Sequence, residues 1–286
     1  MKRKLKLTIL TVIILLFVLI VALIIIENNM VQLNKYDVST SKLPSDLNLK
    51  IAHISDFHNT KSKEIKNRIL KSLKEQNPDV IFITGDFIDS RRTNMEVSLR
   101  FIKKIKDIPI YYVAGNHESR IKEYLDFKEQ LIKLGVNVLE NESVILKNGK
   151  STINLIGLQD PSFETGELNS TKMKEVVNDY LSDLVVNDKY NIVLLHRPEL
   201  FDTIANNKVD LAFHGHAHGG QVILPFIGPI LAPNQGFFPK LTSGVHTKND
   251  TNIVISRGIG NSLCPIRINN NPELVYVTLE QKKDRN

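Results

Sequence analysis

The sequence predicts an α/β domain behind one membrane-spanning helix. Three observations predict it. From residue 48 onward, short apolar strand-like runs alternate with amphipathic helical patterns. Five of those strands end directly in a cluster of Asp, His or Asn. Ahead of them, residues 7–26 form a run of 20 residues that is apolar except for Thr8 and Thr11.

The chain's 286 residues suffice for one large domain or two small ones. A composition of 42% hydrophobic and 24% charged residues is that of a globular protein with a substantial core. The net charge of +6 comes from 37 basic and 31 acidic residues. Four of the basic ones, Lys2, Arg3, Lys4 and Lys6, precede the apolar run, leaving 33 against 31 elsewhere, or +2. A near-neutral domain carries no argument for specific nucleic-acid binding, which needs a basic patch. The single cysteine, Cys264, excludes an intramolecular disulfide and a thiolate-rich zinc site. It reads as a buried small hydrophobe.

At 1.5 Å per residue the apolar run makes about 30 Å of helix, the thickness of a bilayer's hydrocarbon core. It is longer than a signal-peptide core, and Glu27, Asn28 and Asn29 follow it where a small-residue cleavage site would stand. It therefore reads as an uncleaved anchor. Residues 1–6 form a basic cytoplasmic tail by the positive-inside rule, which puts the remainder outside the cytoplasm on a single-pass cell-membrane protein. Residues 27–47 read as a tether that includes an extended edge segment. The domain covers residues 48–281, and 282–286 are a polar tail.

Within the domain, residues 48–54 are a strand, followed by Asp56 and His58. Residues 61–76 are an amphipathic helix with Ile65, Ile69, Leu70 and Leu73 on one face and Pro78 beyond. Residues 79–84 are a buried strand, followed by Gly85, Asp86 and Asp89. A helix over 94–106 leads to a strand over 108–113, which is followed by Gly115, Asn116, His117 and Glu118. Residues 119–134 read as one helix ended by Gly135. Strands follow at 136–139, 142–146 and 152–157, with Asn148-Gly149 as a hairpin turn. Residues 160–169 read as a polar loop and 173–184 as a helix. A strand over 191–195 precedes His196. After a short helix over 200–205, a strand over 209–213 precedes His214, Gly215, His216 and His218. Late strands fall near 221–224, 241–245, 252–256 and 274–279.

In an open α/β sheet, ligands bind beyond the carboxyl ends of the strands. The five clusters can therefore meet. A lone Asp after a strand is ordinarily a helix cap and a lone His a satisfied polar residue, but five repeats make that reading poor. Asp56, His58, Asp86, Asn116, His196, His216 and His218 are seven ligand candidates without a thiolate, a donor set suited to Mn, Zn or Fe. Seven is too many for one four-coordinate ion and suits two ions sharing a carboxylate.

These motifs resemble the calcineurin-like metallophosphoesterase family. The matching residues are Asp56 with His58, Gly85-Asp86 with Asp89, Gly115-Asn116-His117-Glu118, His196, and Gly215-His216 with His218, in the family's order. Residues 219–228 and 256–262 further resemble a bacterial membrane-anchored phosphodiesterase subgroup. The resemblance implies two mixed β-sheets packed face to face with helices outside. It implies two divalent ions, one held by Asp86, Asp56, His58 and His218, the other by Asp86, Asn116, His196 and His216. His117 would contact the phosphoryl oxygen or leaving group, with Asp89 orienting it. In the family's protein phosphatases Arg-Gly follows the second aspartate. Here Ser90, Arg91 and Arg92 follow, which argues against a protein phosphatase and leaves any phosphate-binding arginine unassigned.

The expected activity is hydrolysis of a phosphomono- or phosphodiester by a hydroxide bridging two ions, which would also neutralise the phosphoryl oxygens. His117 would supply a proton or hydrogen bond to the leaving oxygen, with Asp89 on its other nitrogen favouring imidazolium. A pyrophosphatase acting on a lipid-linked or nucleotide-sugar diphosphate would need the same residues. A non-catalytic metal-binding membrane protein would not need His117 and Asp89. His53 and His214 read as structural and His246 as a surface residue. Residues 223–231 are unusually apolar, either a loop packed on the core or a wall for an apolar, lipid-linked or cell-envelope substrate. No obligate protein partner is evident.

Overall fold

The structure is a computed structural model and describes residues 2–43, 47–149, 151–166, 169–261 and 266–282. Cys264 and residues 283–286 lie outside the described residues.

Helix α1 (Lys2–Asn29) is continuous and apolar on all sides. Its residues 4–29 are long and apolar enough to cross a membrane, and none of that span is buried in the protein. Strand β1 (Gln32–Thr40) follows at once, inside the segment read as a tether. It pairs in parallel with the last strand, so the sheet begins before residue 48. It is the extended edge segment expected within residues 27–47, and it forms the edge of the first sheet.

The chain then alternates as its periodicity predicts. Strand β2 (Asn48–Ile54) leads to α2 (Lys63–Gln76), which buries Ile65, Ile69 and Leu73 at helical spacing. Ser62 caps α2 by accepting the Ile65 N–H, and Asn77 closes it in the left-handed conformation. Next come β3 (Val80–Thr84), α3 (Met95–Ile105) capped by Asn94, and β4 (Ile110–Val113). The expected helix over 119–134 is broken. A single 3₁₀ turn spans Glu118–Arg120, Ile121 is extended, and α4 covers only Tyr124–Lys133. The cause is Glu118, whose carboxylate turns inward to accept the backbone N–H groups of Asp86, Ile88 and Gly115.

Strands β5 (Asn137–Val138), β6 (Glu142–Asn148) and β7 (Ser151–Gly157) follow, with β6 and β7 forming the expected hairpin. The expected polar loop over 160–169 contains a helical turn, α5 (Ser162–Thr165), because Asp160 Oδ1 accepts the Ser162 N–H and starts it. Helix α6 (Ser170–Leu184), strand β8 (Tyr190–Leu194), helix α7 (Phe201–Ala205) and strand β9 (Leu211–His214) complete the alternating part. Four two-residue strands build two ribbons, β10 (Ile223–Leu224) with β11 (Gly228–Pro229), and β12 (Leu231–Ala232) with β13 (Gly236–Phe237). Strands β14 (Gly244–Lys248), β15 (Thr251–Ile255) and β16 (Glu273–Gln281) end the domain.

Two six-stranded mixed sheets result, ordered β1-β16-β2-β3-β4-β5 and β14-β15-β9-β8-β7-β6. Their facing side chains form one apolar layer in which Ile51, Phe82 and Val277 of the first sheet meet Leu155, Leu194 and Phe213 of the second. The first sheet's other face packs on α2, α3 and α4, and the second's on α6 and α7. The parallel strands β2, β3, β4, β8 and β9 are the centre of this sandwich. All five carry site candidates at their carboxyl ends.

Candidate metal centre

Each candidate side chain leaves the end of a strand buried in one of the two sheets. Asp56 and His58 follow β2, Asp86 follows β3, Asn116 and His117 follow β4, His196 follows β8, and His216 and His218 follow β9. All eight are buried. Asp56, His58, Asp86, His216 and His218 adopt positive φ, between 45° and 66°. Such backbone is uncommon for residues with a Cβ and collects at functional sites. Here it turns each chain sharply after its strand and aims the side chain across the sheet ends.

Two glycines permit the close approach. A Cβ on Gly215 would lie 1.8 Å from Ser55 Oγ and 2.3 Å from Asp56 Oδ2. A Cβ on Gly115 would lie 2.4 Å from Asp86 Oδ1. Any larger residue there would displace the two carboxylates around which the site is built.

Asp86 sits at the centre. Its Oδ1 accepts the His117 N–H at 2.8 Å, which leaves Oδ2 facing the cluster. Oδ2 lies 3.2 Å from His196 Nε2, 3.8 Å from His58 Nε2 and 3.9 Å from His117 Nε2. On one side, Asp56 Oδ1 is 3.2 Å from His218 Nε2, which is itself 3.2 Å from His58 Nε2. On the other, Asp86, His196 and His216 bring ligand atoms within 4.8 Å of one another. Two donors about 2.1 Å from a shared ion stand about 3.0 Å apart at a right angle and about 3.4 Å apart at the tetrahedral angle. The 3.2 Å separations fit that spacing.

The protonation pattern also fits. His196 Nδ1 donates to the Thr84 carbonyl at 2.7 Å, so in the neutral ring Nε2 carries a lone pair; that atom is buried without a hydrogen-bond partner. Burial holds His58, His216 and His218 well below the ordinary imidazole value, so they are neutral donors. Burial alone would lower His196 as well, but Asp86 and Asp56 beside it raise it to about 10. Burial pushes Asp56 up to about 6. For Asp86 burial acts upward too, and the neighbouring His196, His117 and His58 outweigh it, holding the carboxylate well below its usual range. A buried carboxylate–imidazole cluster of this kind attracts a cation strongly.

His117 departs from expectation. Asp89 Oδ1 is 3.7 Å from its Nδ1, beyond hydrogen-bonding reach. Nδ1 instead accepts the Ser90 backbone N–H at 2.9 Å. The ring proton is therefore on Nε2, which faces Asp86. Burial lowers the His117 pKa, so neutral imidazole is favoured over the expected imidazolium. Asp89 accepts the Arg91 N–H and pairs with Arg92, which fixes the loop carrying Ser90.

The cleft over the cluster has a volume of about 400 Å³, and its walls include Arg91, Arg120, Leu231 and Asn234. The two exposed arginines, which motif reading left unassigned, suit an anionic substrate. Sequence reading also missed the buried supports. Arg197 pairs with Asp160 at 2.8 Å, and Arg267 donates to the Gly260 and Arg257 carbonyls while lying 3.3 Å from His218 Nδ1. Their signal in sequence was faint, since nothing near Arg267 alternates or repeats. His53 is in the core with Nε2 2.7 Å from Thr84 Oγ1, His214 is buried at the end of β9, and His246 is a partly buried residue bonded to the Ser243 carbonyl.

A double-sheet sandwich with carboxylates and imidazoles at its strand ends defines a class of metal-dependent phosphoester hydrolases. The chain belongs to the calcineurin-like phosphoesterase family, whose pattern matches residues 49–220. It is 28% identical to the uncharacterized metallophosphoesterase YkoQ of Bacillus subtilis, over 82% of this chain and 84% of that one. It is 27% identical to the uncharacterized metallophosphoesterase YkuE of the same bacterium, over 89% and 87%. It is 26% identical to the phosphodiesterase YaeI of Escherichia coli, over 72% of each chain.

Proposed function

We propose that the protein is a membrane-anchored phosphoesterase that holds two divalent ions and acts outside the cytoplasm. Asp56, His58, Asp86 and His218 would hold one ion, and Asp86, Asn116, His196 and His216 the other. The observation that carries this reading is that Asp86 Oδ2 lies between two buried clusters of imidazoles and carboxylates. A nitrogen- and oxygen-only set suits Mn, Zn or Fe. When bound, such ions acidify water and neutralise phosphoryl oxygens.

The chain's own groups supply the rest. Arg91 and Arg120 on the cleft wall attract and orient the anionic phosphoryl group. His117, with its ring fixed by Ser90, presents Nε2–H as a hydrogen-bond donor to a phosphoryl or leaving oxygen. The basic residues in the first turns of α1, ahead of its apolar run, support an extracytoplasmic domain.

The test is metal analysis and turnover of the full chain in detergent or nanodiscs. Two ions per chain are expected, with hydrolysis of an aryl phosphomonoester or phosphodiester that chelation removes and Mn, Zn or Fe restores. Absence of hydrolysis with every metal supplied would overturn the reading.

A further inference from the structure

Outside α1, six of the thirteen exposed large apolar side chains among the described residues fall within residues 224–238. The ribbons β10–β11 and β12–β13 present Phe226, Ile227, Leu231, Phe237 and Phe238 to solvent, and Phe226 is fully exposed. Single exposed apolar residues are ordinary, but a contiguous group marks a contact surface. Residues 221–239 also lack any charged residue, in a chain that is 24% charged. The expectation that residues 223–231 pack on the core does not hold, because within each ribbon the strands satisfy one another's backbone and Leu224, Phe226, Ile227 and Leu231 are left exposed.

The position of this surface says what covers it. The end of α1 is tied to the strip of residues 266–271. Glu27 Oε2 accepts the Asn269 N–H at 3.1 Å, Asn28 Nδ2 donates to the Arg267 carbonyl at 2.9 Å, and Asn28 Oδ1 accepts the Arg267 N–H at 3.0 Å. The other side of the same strip holds the ribbon. Ile223 N–H donates to the Ile268 carbonyl at 3.0 Å, and Asn269 Nδ2 donates to the Ile223 carbonyl at 3.0 Å. Asn269 thus bridges the end of α1 and the base of β10. The aromatic ribbon stands one chain-width from the point where α1 leaves the domain. If α1 spans a bilayer, the bilayer surface lies at this end.

We propose that the two ribbons dock into the bilayer that α1 spans, with Phe226, Ile227, Phe237 and Phe238 entering its interface. This rests on the anchoring proposed above. Phe and other large apolar side chains bury into the headgroup–acyl boundary, and an uncharged segment enters it without the cost of burying charge. The second ribbon also forms a wall of the cleft. Its Asn234 lies 3.0 Å from Glu199 Oε1 and 3.3 Å from His216 Nε2. Docking therefore sets the cleft beside the lipid surface and holds one of its walls there.

The chain contains no tryptophan, which gives a direct test. Phe226→Trp in the full chain, reconstituted into phosphatidylcholine–phosphatidylglycerol vesicles, places a lone Trp on the ribbon. Ile132→Trp, on the exposed side of α4 at the end where the parallel strands begin, is the control. Brominated acyl chains are expected to quench Phe226→Trp by several-fold more than Ile132→Trp, with blue-shifted emission from the ribbon Trp only. Equal, weak quenching at both positions would overturn the docking. A blue shift that follows protein density and resists brominated lipid would overturn it too, in favour of a second copy covering the ribbon. Flotation of the same vesicles separates the two proposals, because a chain that floats has kept its anchor whatever the ribbon does, and one that does not float overturns both.

Discussion

The backbone N–H of Ser90 donates to Nδ1 of His117 at 2.9 Å. A main-chain donor cannot be deprotonated or rotated away, so it fixes the imidazole with its proton on Nε2. The carboxylate of Asp89, which motif logic puts on that nitrogen, is 3.7 Å away and engaged with Arg91 and Arg92. His117 is thus set to donate a hydrogen bond as a neutral ring.

This arrangement separates two substitutions. His117→Ala should lower kcat by about 10²- to 10⁴-fold, the range for a positioned donor, with metal content unchanged. Asp89→Asn keeps an acceptor for the Arg91 N–H and should lower kcat by less than about tenfold. A loss as large as that of His117→Ala would mean that Asp89 acts on the imidazole as an ion-pair partner after all.

Asp86 faces both halves of the cluster, and Gly215 leaves room for Asp56. Asp86→Ala should remove both ions and all turnover. Gly215→Ala should lower metal content as well, because its Cβ would meet Asp56 Oδ2 at 2.3 Å. Elemental analysis of the purified variants checks both. A Gly215→Ala protein with full metal content and wild-type kcat would refute the packing argument.

Metal affinity should rise with pH. In the metal-free protein Asp56 titrates at about 6 and His196 at about 10. Each must be unprotonated to serve as a donor. Both groups are held above their ordinary values, so protons on them compete with an ion more strongly as pH falls. Calorimetric metal titrations between about pH 5 and pH 8, in buffers of different ionisation enthalpy, should find proton release and tighter binding at the higher pH. Binding that tightens on acidification would contradict the assignment.

Arg267 is fully buried and donates to two carbonyls and to Asn261 Oδ1. Arg267→Met should destabilise the fold by about 3 kcal/mol or more, since the acceptors it leaves behind are buried and unsatisfied. Thermal unfolding followed by circular dichroism measures this. A loss below about 1 kcal/mol would mean that water replaces the guanidinium without difficulty.

The uncharged ribbon on the cleft wall gives a substrate prediction. A diacylated phosphodiester presented in mixed micelles should be hydrolysed with higher kcat/KM than its deacylated counterpart. Equal values for both would remove the ribbon from substrate selection.

Much of the fold was legible in the residues. Apolar runs over β2, β3, β4, β8 and β9 alternate with helices whose Ile and Leu spacing is helical, and local propensity and burial agree there. The breaks came where one side chain serves a distant partner. Glu118 belongs to a helical pattern until its carboxylate is needed by the backbone of Asp86 and Ile88, a strand away, and the helix stops. The extended edge segment was legible as β1, but its partner was not, because β16 lies at the other end of the chain.

The sequence by itself determined which residues end the five strands and in what order, each with its Asp, Asn or His, because a strand's terminus fixes where the next residue emerges. Only the tertiary structure decided which nitrogen of His117 carries the proton, which arginines line the cleft, and that Phe226, Ile227, Phe237 and Phe238 are exposed on ribbons beside α1. These depend on distances between segments far apart in the chain, and hydrogen bonds and burial act across space, where spacing along the sequence carries no record of them.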